Sequence, residues 1–479
     1  IFMKLQKSQV VYLVLVCVLT FVLIFTPHYG NRFPIHIDEW HHISEAIKLF
    51  DGSFIISHFG VEMGFHFFLS FLSNFFNLVS VYQFLPALWA IVSGLVLFFV
   101  VRAKVGSSRD GFLIAIFSMI FFASIKSNTN ITGLWFFTPL TFAIPFIYLY
   151  IYFFTKGFEE RKVGYVLVSL GIMLFLIPVH SISFLFSIPF LLVYSYFHRD
   201  FVLKNYKFFL VFLIVPLVGI IFYSYVRDLS ILNGLKELLV QLQFRRGWGV
   251  LERNNSPFEI YSLIGYVFAL IGSFVILSKP KLRKRYFIFP LWTLSVLIYL
   301  IIFKISGISF LSPYQRNIYY FAISLPVLSG FGFVAVLNTL KGFFEGRKFF
   351  RGLFIVIVLF FVFVSYFDIP KNTRLYQVVD EDGYDALKFL SSVEVKDGER
   401  VMAPVFISTA MFSVSSHEPV GTIFFYGNRG DVESFFKGDC STREGLIDKH
   451  RVRYVLSEKE LECGWVEIYG DKGWFVYGV

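Results

Sequence analysis

The stretch RFPIHIDEWHHISEAIKLFDG, residues 32–52, gathers His36, Asp38, Glu39, His41 and His42 into seven positions. It lies between two apolar runs, VVYLVLVCVLTFVLIF at 10–25 and MGFHFFLSFLSNFFNLV at 63–79. Charge and imidazole are excluded from hydrocarbon unless they serve a site. The segment therefore reads as a loop between membrane elements, and its side of the membrane decides how the rest of the chain is threaded.

The remainder has the composition of a membrane protein. Of its 479 residues 56% are hydrophobic, 20% aromatic and only 16% charged, and the mean hydropathy is +0.68. A soluble globular chain does not read this way, whereas repeated apolar runs of spanning length do. With 65 phenylalanines, almost any one of them is bulk. The net charge is +10, and the basic residues sit in short clusters between apolar runs. That is the pattern of cytoplasmic loops, so nucleic acid is not expected as a partner.

Candidate spans are 10–26, 84–101, 111–125, 133–155, 163–179, 182–198, 208–226, 258–278, 286–304, 317–338 and 352–368. The first follows Lys4 and Lys7, has no small-residue cleavage site after it, and reads as a retained span. Counting 63–79 as a further span would put RAKVGSSRD, 102–110, outside and invert every later basic loop. Treating it as re-entrant or interfacial keeps the basic clusters, including Lys279 to Arg285, inside. The expected architecture is a polytopic α-helical membrane protein of about eleven transmembrane helices, with the N-terminus inside and the C-terminus outside. Residues 1–368 form the membrane domain, with 27–62 as its first extracytoplasmic loop. A second outer loop, 227–257, repeats Leu232, Leu235, Leu239 and Leu242 at helical spacing, as in a helix lying on the membrane surface.

From about residue 369 charge and turn residues become common and apolar runs shorten to strand length. Residues 369–479 read as a small extracytoplasmic α/β domain. Helices are expected at GYDALKFLSSV, FISTAMFSVSS and STREGLIDKH, and strands at RVMAPV, PVGTIFF and RYVLSE. A hairpin is expected around Gly470-Asp471-Lys472-Gly473. Cys440 and Cys463 both fall in this region, where oxidation is permitted, and are expected to pair; Cys17 lies inside the first apolar run.

The threading puts the opening motif at the outer membrane surface. Asp38, Glu39, His42 and Glu45 lie at three- and four-residue spacings and can share a helix face. Asp38 can simply cap the helix EWHHISEAIKLF, with Glu39 favoured by its dipole. A zinc-protease reading fails, since His36 and His41 are five apart and no HExxH or HxxEH occurs. A divalent-cation site built from the carboxylates with His36, His41 and His42 is a further reading. Such a mixed set suits manganese or zinc better than calcium.

The string DEWHHISEAIKLFDG resembles the first-loop pattern of GT-C superfamily glycosyltransferases, and among them the protein-mannosyltransferase and aminoarabinose-transferase branches. In those, a span is followed by Asp-Glu, a helix carrying Ala and Leu, and Gly; the matching residues are Asp38, Glu39, Ala46, Leu49 and Gly52. ITGLWFFTPLTFAIPFIYLYIYF (131–153), LIPVHSISFLFSIPFLL (176–192) and SPYQRNIYYFAISLPVLSGFGF (312–333) resemble other parts of the superfamily. The C-terminal region lacks a WWDYG-like motif, which argues against an oligosaccharyltransferase.

The resemblance implies a membrane enzyme that moves a sugar from a polyprenyl-phosphate donor to an acceptor, with inversion. Asp38 would be the base, supported by Glu39. Arg316, Arg245 and Arg246 would hold the donor phosphate, and His36, His41 and His42 a metal or the acceptor. The cofactor expectation is either none or a divalent cation such as manganese or magnesium. Partners are the lipid-linked donor, an acceptor that is protein, lipid or glycan, and membrane lipids. Arg316 can equally be an interfacial anchor and Arg245 and Arg246 headgroup contacts, and His180 reads as a hydrogen bonder between helices. The competing classes are a transporter or lipid flippase, which would carry charges within its spans, and a non-catalytic scaffold with an outer binding domain.

Overall fold

The computed structural model describes residues 5–50, 62–127, 133–226, 228–245, 256–343, 348–364, 377–394, 396, 398–423, 427–471 and 473–479. The chain divides into two compact units. One comprises Ile1–Thr26 and Pro86–Asp368, the other Pro27–Leu85 and Ile369–Val479. By contacts the first loop groups with the C-terminal region, as part of Pro27–Leu85, and the pairs described below account for that grouping.

The first unit is helical. In hydrocarbon only a helix satisfies its own backbone donors and acceptors segment by segment, and each of the eleven segments read as spans contains a helix. Among the described residues six are long and apolar enough to cross a membrane: Lys7–His28, Leu78–Val105, Pro139–Glu160, Val163–His180, Ile288–Ser306 and Tyr314–Lys341. A seventh arises if Leu263–Ser278 and Pro280–Tyr286, bent by 111°, count as one. The remaining expected spans fall short of that length. Arg109–Ala123 has 15 residues, and Val211–Val226 and Lys348–Phe363 have 16 each. The segment 182–198 breaks into Ile182–Leu185 and Ile188–Phe197, where Pro189 opens a new helix.

Small residues set the tightest packing. Leu263–Ser278 crosses Tyr314–Phe343 so closely that a Cβ on Gly272 would meet the Leu328 carbonyl, and one on Gly332 that of Phe268. Ser329 adds polar contacts across this interface, donating to the Gly265 carbonyl at 2.9 Å and sitting 2.9 Å from the Tyr261 hydroxyl. The basic residues of the 102–110 turn are structurally engaged. Arg102 donates to the carbonyls of Ser107 and Ser108 at 2.8 and 2.7 Å, and Lys104 pairs with Glu159 at 2.7 Å. A helix is present in the segment 227–257, as Ile231–Gln241, and leads into the strand Gln243–Arg245, which pairs antiparallel with Ile308–Phe310.

In the second unit the first loop folds as helix Ile37–Phe50, followed by helix Met63–Ser73. The latter has 11 residues, roughly 16 Å at the helical rise against the roughly 30 Å of a bilayer core. It does not form a span of its own. The Ile37–Phe50 helix packs on helix Ser408–Ser415: the Ser44 hydroxyl donates to the Thr409 carbonyl at 2.9 Å, and Lys48 Nζ lies 4.9 Å from the centre of the Phe412 ring. Lys48 also pairs with Glu418 at 3.1 Å, and Phe33 stacks on Tyr384 with centroids 3.9 Å apart. These contacts tie the first loop to the C-terminal region.

That region holds a four-stranded sheet. Arg400–Met402 runs parallel to Val452–Ser457; Val452–Ser457 pairs antiparallel with Trp474–Gly478, and that strand with Val466–Asp471. The last pair is the expected hairpin, with Asp471 opposite Trp474 and Gly473 at φ +87°, a conformation that favours glycine. The expected helices are Glu381–Leu390, Ser408–Ser415 and Cys440–His450. Among the described residues of PVGTIFF the expected strand is reduced to isolated bridges, Pro419 with Val401 and Gly421 with Gly427, and helix Arg429–Lys437 was not foreseen. Met402, Val420, Phe435, Val455 and Tyr477 form the buried core. Cys440 and Cys463 form a disulfide with Cα atoms 5.4 Å apart, as expected.

Candidate active site and histidine cluster

The first-loop helix starts at an unusual cap. His36 precedes the first helical residue, and its Nδ1 accepts the backbone N–H of Asp38 at 3.2 Å. Glu39 reaches back, its Oε2 accepting the N–H groups of His36 at 3.1 Å and Ile35 at 3.2 Å. The Glu39 half is that of a capping box, while the imidazole takes the N2 amide, a cap role usually held by a hydroxyl or carboxylate. Asp38 is thus not the cap, as one reading supposed. Its carboxylate lies 3.6 Å from His36 Nδ1, and its side chain is 27% exposed, whereas Glu39 is fully buried. The two adjacent acids have been sorted: Glu39 is committed to backbone donors, and Asp38 keeps access to solvent. Trp40, Ile43 and Ala46 form the buried stripe that fixes the helix, and the buried Tyr82 lies within electrostatic reach of both acids.

His41 and His42 meet a third imidazole, His66, from helix Met63–Ser73. Their ligand atoms all lie within 4.8 Å of one another, and His42 Nδ1 is 3.0 Å from His66 Nε2. His42 and His66 are buried and His41 is half-buried. Burial pushes the His66 imidazole down to about 4, so it is neutral at physiological pH. His36, grouped with His41 and His42 in the sequence, is separated from them by its capping role. His66 was missed there because it stands alone among phenylalanines; the scarcity of imidazole in so apolar a run was the available signal.

The arginines belong to the other unit. Arg316 sits in the first turn of Tyr314–Phe343, half-buried. It acts electrostatically on two members of a buried polar cluster, His180 and Tyr320. In that cluster His180 Nδ1 lies 2.7 Å from the Ser183 hydroxyl, which is 3.1 Å from the Tyr320 hydroxyl. Tyr150 donates to the Ser183 carbonyl at 3.2 Å. His180 thus bonds between helices as its position indicated. Arg245 is exposed at the end of its short strand, opposite Ile308. Arg246 and Gly52 lie outside the described residues.

No protein-family model matches the sequence, and no curated protein matches it. Solved structures do match in fold. The chain is similar to the Archaeoglobus fulgidus oligosaccharyltransferase tethered with an acceptor peptide containing the NVT sequon. The TM-score is 0.59 at 13% identity, covering 94% of this chain and 69% of that one. Archaeal oligosaccharyltransferase AglB from Archaeoglobus fulgidus, in complex with an inhibitory peptide and a dolichol-phosphate, gives 0.58 at 13% identity over 94% and 69%. The first of these enzymes in complex with Zn and sulfate gives 0.57 at 14% identity over 93% and 67%. At these identities the similarity concerns the fold alone: the chain folds similarly to these oligosaccharyltransferase structures.

Proposed function

We propose that this protein is a GT-C-type glycosyltransferase that moves a sugar from a polyprenyl-phosphate donor to an acceptor at the extracytoplasmic membrane face. The observation that carries the reading is the division of labour between Asp38 and Glu39. In a chain of this fold, the first-loop helix leaves one carboxylate, Asp38, part-exposed while its neighbour is bound to backbone amides. The neighbours in fold bind an acceptor peptide and a dolichol-phosphate, which agrees with a lipid-borne donor and a separate acceptor.

The chemistry follows from the residue types. An acceptor heteroatom attacks the anomeric carbon, the bond from that carbon to the phosphate oxygen breaks, and the sugar inverts. Asp38 takes the acceptor's proton as general base. The leaving group carries the bonding pair away on phosphate, and a guanidinium answers its charge with a planar fork of donors. Arg316, with Arg245 and Arg246, is assigned that role by chemistry and position in the sequence. In this reading the chain is an integral membrane protein with its N-terminus inside, residues 1–368 as the membrane domain and 369–479 as the outer domain. The protein-mannosyltransferase and aminoarabinose-transferase branches supply the donor class.

The test is transfer from synthetic polyprenyl-phosphate sugars by purified protein in detergent. Asp38→Asn keeps size and shape, and should lower the rate by roughly 10²–10⁴-fold with unfolding unchanged. Near-normal transfer by a well-folded Asp38→Asn protein would remove Asp38 as base. Arg316→Ala should raise the donor KM more than it lowers the unfolding temperature.

A further inference from the structure

The three histidines of the second unit converge more tightly than packing alone demands. His41 and His42 come from the first-loop helix and His66 from Met63–Ser73. Ring centroids are 5.3 Å apart for His41 and His42, 5.2 Å for His42 and His66, and 6.1 Å for His41 and His66. A tetrahedral zinc ion with bonds of about 2.0–2.1 Å holds its nitrogens roughly 3.3 Å apart. The His42 to His66 nitrogen separation is 3.0 Å, and no pair of ligand atoms exceeds 4.8 Å. Side-chain adjustments of about an ångström complete the geometry. A single shared cation would engage all three rings at once.

We propose that His41, His42 and His66 bind one zinc ion, and that the ion clamps the first-loop helix to helix Met63–Ser73. The donor set selects the metal. Three imidazoles, with no carboxylate among them, suit zinc, whereas magnesium and manganese favour oxygen. Of the cations expected from the sequence, zinc therefore fits this trio better than the manganese or magnesium of the cofactor expectation. Three protein ligands leave a fourth position for solvent. The site does not depend on the proposed transfer reaction.

The experiment uses the full-length protein, purified in detergent without a polyhistidine tag, stripped with a chelator and titrated with zinc alone. Equilibrium dialysis with elemental analysis should give one zinc per chain. Cobalt, substituted alone, should give the visible absorption of a tetrahedral histidine site. His66→Ala should weaken zinc binding more than about 100-fold, beyond the loss typical of a residue that merely supports a ligand. His41→Asn, at the half-buried member, should do the same and serves if the His66 variant fails to fold. His450→Asn, whose ring bonds Asp431 elsewhere in the chain, should retain one equivalent. Absence of saturable zinc binding by the wild-type protein, or wild-type affinity in both His66→Ala and His41→Asn, would overturn the site. Neither readout involves sugar transfer, so a failure here is distinct from a failure of the enzymatic reading.

Discussion

Glu39 Oε2 accepts the backbone N–H of His36 at 3.1 Å, closing the N-terminus of the first-loop helix on itself. The same oxygen takes the N–H of Ile35 at 3.2 Å, with the side chain fully buried. Glu39→Ala would leave two buried donors without this acceptor. The expected loss is roughly 1.5–3 kcal/mol, the range for bonds to a charged group, read as a lower unfolding midpoint in denaturant. Glu39→Gln keeps an oxygen acceptor and should lose less. If Glu39→Gln instead abolished transfer while the midpoint stayed put, Glu39 would act in the chemistry and not in the cap.

The Cys440–Cys463 disulfide closes a loop with a sequence separation of 23. By chain entropy such a loop restricts the unfolded state by roughly 3 kcal/mol. Replacing both cysteines by serine should destabilise the C-terminal sheet and its helices by about that amount, with faster proteolysis of residues around helix Cys440–His450. Reductant should reproduce the effect in the wild type and leave the double variant unchanged. Equal proteolysis of the two proteins, with and without reductant, would count against a stabilising role for the bridge.

Asp431 should make this region sensitive to acid. It accepts hydrogen bonds from Lys449 Nζ at 2.7 Å and His450 Nε2 at 2.6 Å. These bonds, Lys449 first, hold its carboxyl below the usual 3.8. A folded-state value below the unfolded one means the native state binds fewer protons. The stabilisation is therefore present above about pH 4 and is lost as pH falls through the depressed value. Asp431→Asn should lower the unfolding temperature at neutral pH and flatten its decline below about pH 4. A wild-type decline in that window that persists unchanged in Asp431→Asn would assign it to other carboxylates.

The helical content was legible because spans are recorded in hydropathy, residue by residue. Their number was not, because hydropathy does not show where a helix ends. The 182–198 run stays apolar through the break ahead of Pro189, and Asn74 to Asn77 interrupts the apolar run that contains His66. The candidate site divides in the same way. Asp38 and Glu39 were visible as a charged pair in the first loop. Which acid is part-exposed and which is bound to backbone amides depends on side-chain direction at the helix start, and adjacent letters carry no such information. His66 lies 24 residues from its contact with His42, so the trio exists only once the helices Ile37–Phe50 and Met63–Ser73 have packed. The grouping of the first loop with the C-terminal region likewise rests on pairs such as Lys48 and Glu418, 370 positions apart.

Orientation is the assumption on which the proposed extracytoplasmic reaction rests, and the basic clusters are its basis. Arg102, Lys104 and Arg109 flank the turn after the apolar helix Leu78–Val105, and the proposal that this turn is cytoplasmic rests on the general retention of positive charge on that side. Ser107 lies exposed in that turn, where its carbonyl but not its side chain binds Arg102. Ser434 is exposed on helix Arg429–Lys437, its hydroxyl bonded only along its own helix to Gly430. In a background with Cys17 replaced by alanine and the Cys440–Cys463 disulfide intact, single cysteines at these two serines should report opposite faces. In sealed cells or right-side-out vesicles an impermeant thiol reagent should modify Ser434→Cys and spare Ser107→Cys until the membrane is opened with detergent. The reverse pattern would put Asp38 on the cytoplasmic side of a chain threaded the other way. A lipid-linked sugar presented at the outer face could not then reach it, and the proposed reaction would have to be abandoned even if the fold and the histidine cluster stood.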